Sequence, residues 1–180
     1  IFGFLGGTDL MNFVRQYHEF GLMEEGIPVI VGLGGFSSSF LPALGDAAVG
    51  HYHVYHYSPF FENAENKSFM AAYREMFGEA ADEMSLNGYE VGTMMAKGLD
   101  AAGGRAGDTE AIIDGIEKID YQSPRGRITM DPNHVAKVPI FLIQVVKQDG
   151  RLAHRVAAKT GRYGTPYGPN GPGGQCKMQS

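Results

Sequence analysis

Short apolar runs alternate along the chain with segments in which apolar residues recur every three or four positions, and glycine marks most changes of rhythm. Ile1-Phe2-Gly3-Phe4-Leu5 is continuously apolar over a strand's length, which predicts a buried strand. Gly6-Gly7 then turns the chain and Thr8 stands where a helix cap is needed. Leu10, Phe13, Val14, Tyr17 and Phe20 follow on one helical face until Gly21 supplies a stop. The rhythm repeats with an apolar strand at 28–31, the glycine loop Gly32-Leu33-Gly34-Gly35 and the polar run Ser37-Ser38-Ser39. Two strand-then-glycine units in succession predict parallel strands joined by crossover helices, with ligand sites at the carboxyl ends of the strands.

A third strand is predicted at 51–57, rich in β-formers and ended by Pro59. Asn63 can cap a helix whose buried stripe is Phe69, Met70, Tyr73, Met76 and Phe77, closed by Gly78. A longer helix runs from about Asp82 to Ala102, carrying Tyr89, Val91, Met94, Met95 and Leu99 and ending at Gly103-Gly104. Asp108 can cap a third, with Ile112, Ile113 and Ile116 on one side. Strands are predicted at 126–130 and 140–146, and Asp149-Gly150 is a hairpin turn into a strand at 152–158. From Thr160 onward glycine, proline and tyrosine follow no period, which predicts an irregular tail.

Composition narrows the classes. Of 180 residues 26 are glycine, about twice the ~7% usual in globular proteins. With 43% hydrophobic residues the chain can bury a core. The net charge is −5 and neither sign forms a run, so nothing offers nucleic acid or an anionic membrane an electrostatic footprint. The longest apolar run, 138–146, is broken by Pro139 and Gln144 and is far shorter than the ~20 residues of a membrane span. Cys176 is the sole cysteine, which excludes an internal disulfide and a thiolate metal cluster. Because the first residue is Ile, already inside a strand pattern, the chain is expected to be the C-terminal portion of a longer protein.

His51 and His53 fall on the same face of the third predicted strand and His56 on the other, a spacing that permits a two-histidine metal pair. No acid or cysteine stands at a regular spacing beside them, and packed rings are the favoured reading. The glycine loops lack the G-x-G-x-x-G spacing of a dinucleotide cradle, and the serine run lacks the G-x-S-x-G elbow of a hydrolase. Asp82 and Glu83 read as charge at a helix start, and Met84, Met94 and Met95 as core filler.

The order of segments resembles the type I periplasmic solute-binding proteins of branched-chain amino acid ABC transporters. The resemblance rests on the strand–glycine–helix opening with Phe13-Val14-Arg15-Gln16 and Phe20-Gly21-Leu22, on Leu41-Pro42-Ala43-Leu44-Gly45-Asp46-Ala47-Ala48-Val49-Gly50, and on Asn63 through Phe69 with Tyr73 and Phe77-Gly78. It continues through Tyr89 and Leu99-Asp100-Ala101-Ala102-Gly103-Gly104, through Gly126-Arg127-Ile128-Thr129-Met130-Asp131-Pro132-Asn133-His134, and through 139–146 with Asp149-Gly150. No one segment identifies the family; their order over roughly residues 1–158 does.

That resemblance implies an α/β fold of two Rossmann-like lobes joined by a hinge, present here as a C-terminal fragment of both. Residues 1–54 and 139–158 map to the second lobe, 57–136 to the returning part of the first, and 159–180 to an irregular tail, with hinge crossings near 54–57 and 136–139. It also implies a non-enzymatic, periplasmic protein without cofactor, whose partners are a small polar solute and a membrane permease. The implied solute contacts are Gly6, Gly7 and Thr8, then Leu33, Gly34 and Gly35, with Met84 from the first lobe. Amino-acid binders of the family often carry an acid at the position of Leu33; its absence here makes amides, urea-like solutes and aromatic or other carboxylates competitive with a free amino acid. A ligand-sensing regulator of the same fold is the alternative, and a metal enzyme using His51 and His53 is the second.

Overall fold

The computed structural model describes residues 1–32 and 34–163. Leu33 and most of the expected tail lie outside the described residues. The fold is mixed α/β. Strand β1 (Phe2–Gly3) leads into α1 (Gly7–Glu19), and β2 (Ile30–Val31) into the short helix α2 (Leu41–Leu44), a 3₁₀ turn (Gly45–Ala48) and β3 (Tyr52–Tyr55). Three helices follow, α3 (Ala64–Phe77), α4 (Glu83–Ala101) and α5 (Thr109–Glu117), and then β4 (Asp120–Ser123), β5 (Gly126–Met130), β6 (Ala136–Gln148) and β7 (Arg151–Tyr163).

The strands lie in the order β1-β2-β3-β6-β5-β4, with β7 also paired to β6. As the two strand–glycine units predict, β1, β2 and β3 are parallel. Strand β6 runs antiparallel to β3 over 141–144, while its first residues, Ala136 and Lys137, pair with β5. One strand thus serves two parts of the sheet. The β6–β7 hairpin turns at Asp149 (φ 50°) and Gly150 (φ 75°), the left-handed pair that a two-residue turn requires.

Three apolar clusters form on these frames. Leu10, Val14 and Tyr17 of α1, spaced at one helical face, pack with Val29, Val31, Phe36, Leu41, Leu44 and Val145. Tyr57, Phe69, Ala81 and Leu86 form the second cluster, around α3 and α4. Tyr55, Phe141 and Ile143 make a third, against which Phe61 packs.

The helix starts follow the local chemistry. Asn63 accepts the Asn66 N–H at 2.8 Å, Asp82 accepts the Ser85 N–H at 2.8 Å in a reciprocal capping box, and Asp108 accepts the Ala111 N–H at 3.2 Å. Gly78 ends α3 in the left-handed conformation. Thr8 differs from expectation: Gly6 is the N-cap of α1, no side chain caps it, and Thr8 lies inside the first turn.

Other expectations needed tertiary context. The opening strand is not buried: Phe2 and Phe4 are each 73% exposed, because β1 is a sheet edge paired with β2 alone among the described residues. Met76, Phe77, Met84 and Met95 are exposed rather than core: Met76 and Phe77 line an open groove between α3 and α4, and no described element covers Met84 or Met95. Strand β4 had no clear apolar signature and forms by pairing with β5 across the turn at Pro124 and Arg125. The expected tail boundary at 159 gives way to strand through Tyr163, where β7 stays paired with β6 and Thr160 Oγ1 donates to the Ile140 carbonyl at 2.9 Å.

Two glycines unassigned by sequence reasoning join α4 to α5. A Cβ on Gly115 would stand 2.6 Å from the Ala101 Cβ, and one on Gly98 would stand 2.7 Å from Ile116 and 2.9 Å from the Ile112 carbonyl oxygen. Substituting Gly115→Ala is expected to force the helices apart and destabilise the protein by about 1–2 kcal/mol, the overpacking cost outweighing the helix-propensity gain. A lowered urea midpoint would register this, and an unchanged or raised midpoint would show that the helices separate freely.

Candidate functional site

The two glycine loops meet at the carboxyl ends of β1 and β2. Gly34 has φ 69°, a conformation that side chains beyond glycine rarely adopt, and a Cβ there would stand 3.0 Å from the Tyr55 ring. Gly35 is packed more tightly still: its Cβ would lie 2.7 Å from Val31 Cγ2, 2.8 Å from Leu10 Cδ2 and 3.1 Å from the Leu5 carbonyl oxygen. That last contact sets the second loop against the first, immediately before Gly6, Gly7 and Thr8. A helix leaves its first N–H groups without helical partners, and the start of α1 has no side-chain cap, so Gly7 and Thr8 present main-chain donors at the positive end of a dipole, with the exposed Asp9 in the same turn. Leu33, the remaining expected contact on this loop, lies outside the described residues.

Polar side chains hold the second loop from two sides. The Ser38 N–H donates to Glu83 Oε1 at 3.0 Å, and the Ser38 hydroxyl donates to Oε2 at 2.7 Å. Glu83 opens α4, so this contact ties the half of the molecule built on α3 and α4 to the loop after β2. Met84, the expected first-lobe contact, is the next residue on α4 and is 63% exposed. Burial pushes the Glu83 carboxyl up, against the lowering effect of the Ser38 hydrogen bonds.

From the other side, His154 Nε2 reaches the Phe36 carbonyl oxygen at 2.8 Å. A carbonyl only accepts, so Nε2 carries the proton and Nδ1 accepts from Ser58 Oγ at 2.9 Å. Ser58 Oγ in turn accepts the Phe60 N–H at 3.2 Å. Sheet, loop and the segment leaving β3 are thereby joined through one neutral imidazole.

His51 and His53 do share a face, as the alternation predicts, and both are buried. His51 Nδ1 accepts the Val29 N–H at 3.0 Å and its ring stacks on Phe36 at 5.5 Å. His53 lies 4.9 Å from the His154 ring with no hydrogen-bond partner at either nitrogen among the described residues. These contacts are those of packed rings, and among the described residues no three histidine, cysteine or acidic side chains gather as a metal site. His56, on the opposite face, meets Arg125 Nη1 at 2.7 Å; Arg125 also donates through Nε to Glu90 at 2.8 Å and through Nη2 to Asn87 at 2.9 Å. This buried ion pair anchors the β4–β5 turn to α4 and to the residues after β3.

Ser38, Glu83, Ser58 and His154 were not among the residues singled out as site candidates. Glu83 carried a signal only as an acid at a helix start; it does stand in the first turn of α4, which Asp82 caps. A 610 Å³ cavity lies beside the Ser38–Glu83 contact, lined in part by Ser39, Pro59, Tyr73 and Ser85, and a 750 Å³ apolar groove between α3 and α4 lies away from the glycine loops.

Residues 1–151 match the periplasmic binding protein family. The chain belongs to that family. Members are solute-binding proteins, and among the described residues no helix is long and apolar enough to cross a membrane. The chain is 29% identical over 154 residues to Leu/Ile/Val-binding protein homolog 6 of Brucella melitensis, a match covering 83% of this chain and 39% of that protein. The structure is similar to an ABC transporter substrate-binding protein from Sphaerobacter thermophilus, with a TM-score of 0.82, 29% identity and coverage of 89% of this chain and 44% of that one. It is also similar to a solute-binding protein of an ABC transporter from R. palustris in complex with 4-hydroxybenzoate, with a TM-score of 0.81, 28% identity and coverage of 90% and 45%. The chain therefore spans about two fifths of the length of these periplasmic binding proteins.

Burial holds His51 and His154 down at about 4, and His53 and His56 at about 3, with Arg125 adding to the effect at His56. Since the folded values lie below the ordinary 6.5, the unfolded chain takes up protons first; the stability these groups allow is complete above pH 6.5 and is lost as pH falls toward 4 and 3. At pH 5 each group displaced from 6.5 to about 4 is expected to cost about 2 kcal/mol. Urea midpoints at pH 7 and pH 5 should show the loss, and His53→Leu should reduce the difference; equal midpoints for the unsubstituted protein would contradict neutral burial.

Proposed function

We propose that this chain is part of the extracytoplasmic solute-binding component of an ABC importer, which encloses a small polar solute between two lobes by hinge closure and presents it to a membrane permease. The observation that carries this reading is the meeting of the two glycine loops at the ends of parallel strands, with the start of α4 tied to the second loop and β6 running between the parts of the sheet. In this arrangement β3 and β6 supply two of the hinge crossings, and Gly6, Gly7, Thr8, Leu33, Gly34, Gly35 and Met84 contact the solute.

An aromatic or other carboxylate fits these loops better than a free α-amino acid. Main-chain donors at an uncapped helix start favour an anion. An enclosed ammonium needs an acidic partner, yet Leu33-Gly34-Gly35 has none, and the Glu83 carboxylate is already buried and engaged by Ser38. The R. palustris relative with bound 4-hydroxybenzoate supports the same class.

Calorimetric titration of the protein as naturally produced should show 4-hydroxybenzoate binding at least tenfold tighter than leucine. Tighter binding of leucine would overturn the ligand class, and binding of neither would count against the solute reading. The 180-residue chain by itself, lacking more than half of the relatives' length, is expected to bind neither compound with sub-micromolar affinity; such affinity in the isolated chain would refute a cleft shared with absent residues.

A further inference from the structure

We propose that Glu83 is a positioning residue for the solute-binding loop, its carboxylate holding Ser38 so that the placement of Gly34 and Gly35 depends on α4. The inference rests on the reading of that loop as a solute contact. Three observations carry it. The first is geometric: Glu83 accepts from both the N–H and the hydroxyl of Ser38, and both of its oxygens are used.

The second is the cost of the arrangement. Glu83 is 1% exposed, and no cation pairs with it among the described residues. A desolvated carboxylate without a counter-charge is unfavourable unless hydrogen bonds compensate it. The helix does not require it there, because Asp82 and Ser85 already form the capping box. Besides its own main-chain N–H, what the carboxylate satisfies is Ser38.

The third is how Ser38 is joined to the glycines. The Ser37 N–H donates to the Gly34 carbonyl at 2.9 Å, and the Phe40 N–H to the Ser37 carbonyl at 2.9 Å, so residues 34–40 form two consecutive turns. Around Gly35, Val31, Leu10 and the Leu5 carbonyl leave no room for a side chain, so the first turn packs directly on β2, α1 and the first loop. Phe36 and Ser38, bonded to His154 and Glu83, thus hold the first turn from either side of Ser37, whose N–H fixes the Gly34 carbonyl.

Hydrogen–deuterium exchange of the naturally produced protein, combined with titration of 4-hydroxybenzoate and leucine, tests the proposal. Glu83→Ala should speed exchange at Ser38 at least tenfold, leave residues 6–8 within threefold, and weaken the tighter-bound of the two compounds at least tenfold. Glu83→Gln, whose side-chain carbonyl can still accept the Ser38 N–H and whose amide can donate to the hydroxyl, should stay within threefold in both measurements. Ser38→Ala, which removes the hydroxyl and keeps the main-chain bond, should fall between them and serves if Glu83→Ala does not fold. Unchanged exchange at Ser38, equal acceleration at residues 6–8, or faster exchange with unchanged affinity would overturn the proposal. If the unsubstituted protein binds neither compound, the solute reading fails, whereas the exchange comparison still decides whether Glu83 holds the loop.

Discussion

Strand β6 is the constraint on which the rest of the structure depends. Its ladder with β3 and β7 completes the sheet beneath α1, and its first two residues pair with β5. A strand that serves two sheet regions cannot shift register for one without displacing the side chains of the other, since a slip of one residue reverses every face. The alternating burial along 140–145 reflects this, with Phe141, Ile143 and Val145 directed into apolar clusters. The positions of both glycine loops and of the α4 start follow from a sheet whose register is set in this way.

Around that frame, buried polar groups do different kinds of work. Glu90 and Arg125 form an ion pair whose remaining donors are taken up by Asn87 and His56, and an arrangement so fully satisfied fixes one geometry. Among the described residues Glu83 has no such counter-charge and is satisfied chiefly by a loop. His154 holds the same loop through a tautomer dictated by its carbonyl partner. The glycine loops themselves hold their shape by close approach: Gly34 and Gly35 have no room for side chains, which leaves main-chain groups at the loop surface. In the proposed solute-binding role, a loop made of backbone and supported by buried polar contacts is preorganised, and recognition then loses little to ordering.

Glycine is abundant here for more than one physical reason. At Gly34 and Gly35 it permits close approach near the proposed site, at Gly78 and Gly150 it permits left-handed backbone, and at Gly98 and Gly115 it lets two helices touch. The third use bears on packing alone. A glycine count therefore points toward function only where the loop geometry separates the first group from the others.

Features set by neighbours along the chain were legible in the sequence. The caps at Asn63 and Asp108, the helix start at Asp82, the stop at Gly78, the turn at Asp149-Gly150 and the strand–glycine–helix opening depend on contacts within a few residues, and the apolar period of α1 reported its buried face as far as Tyr17, with Phe20 beyond it exposed. The order of these elements also carried the family resemblance. What spacing could not reveal were relations between distant segments: that β1 is an edge with Phe2 and Phe4 exposed, that β4 forms by pairing with β5, that Thr8 lies beyond an uncapped helix start, and that Glu83, Ser58 and His154 hold the loop after β2. Burial and hydrogen bonding of a side chain depend on what the completed fold brings within a few ångströms of it. Ser38 and Glu83 are 45 residues apart, and only the tertiary structure decided that they touch.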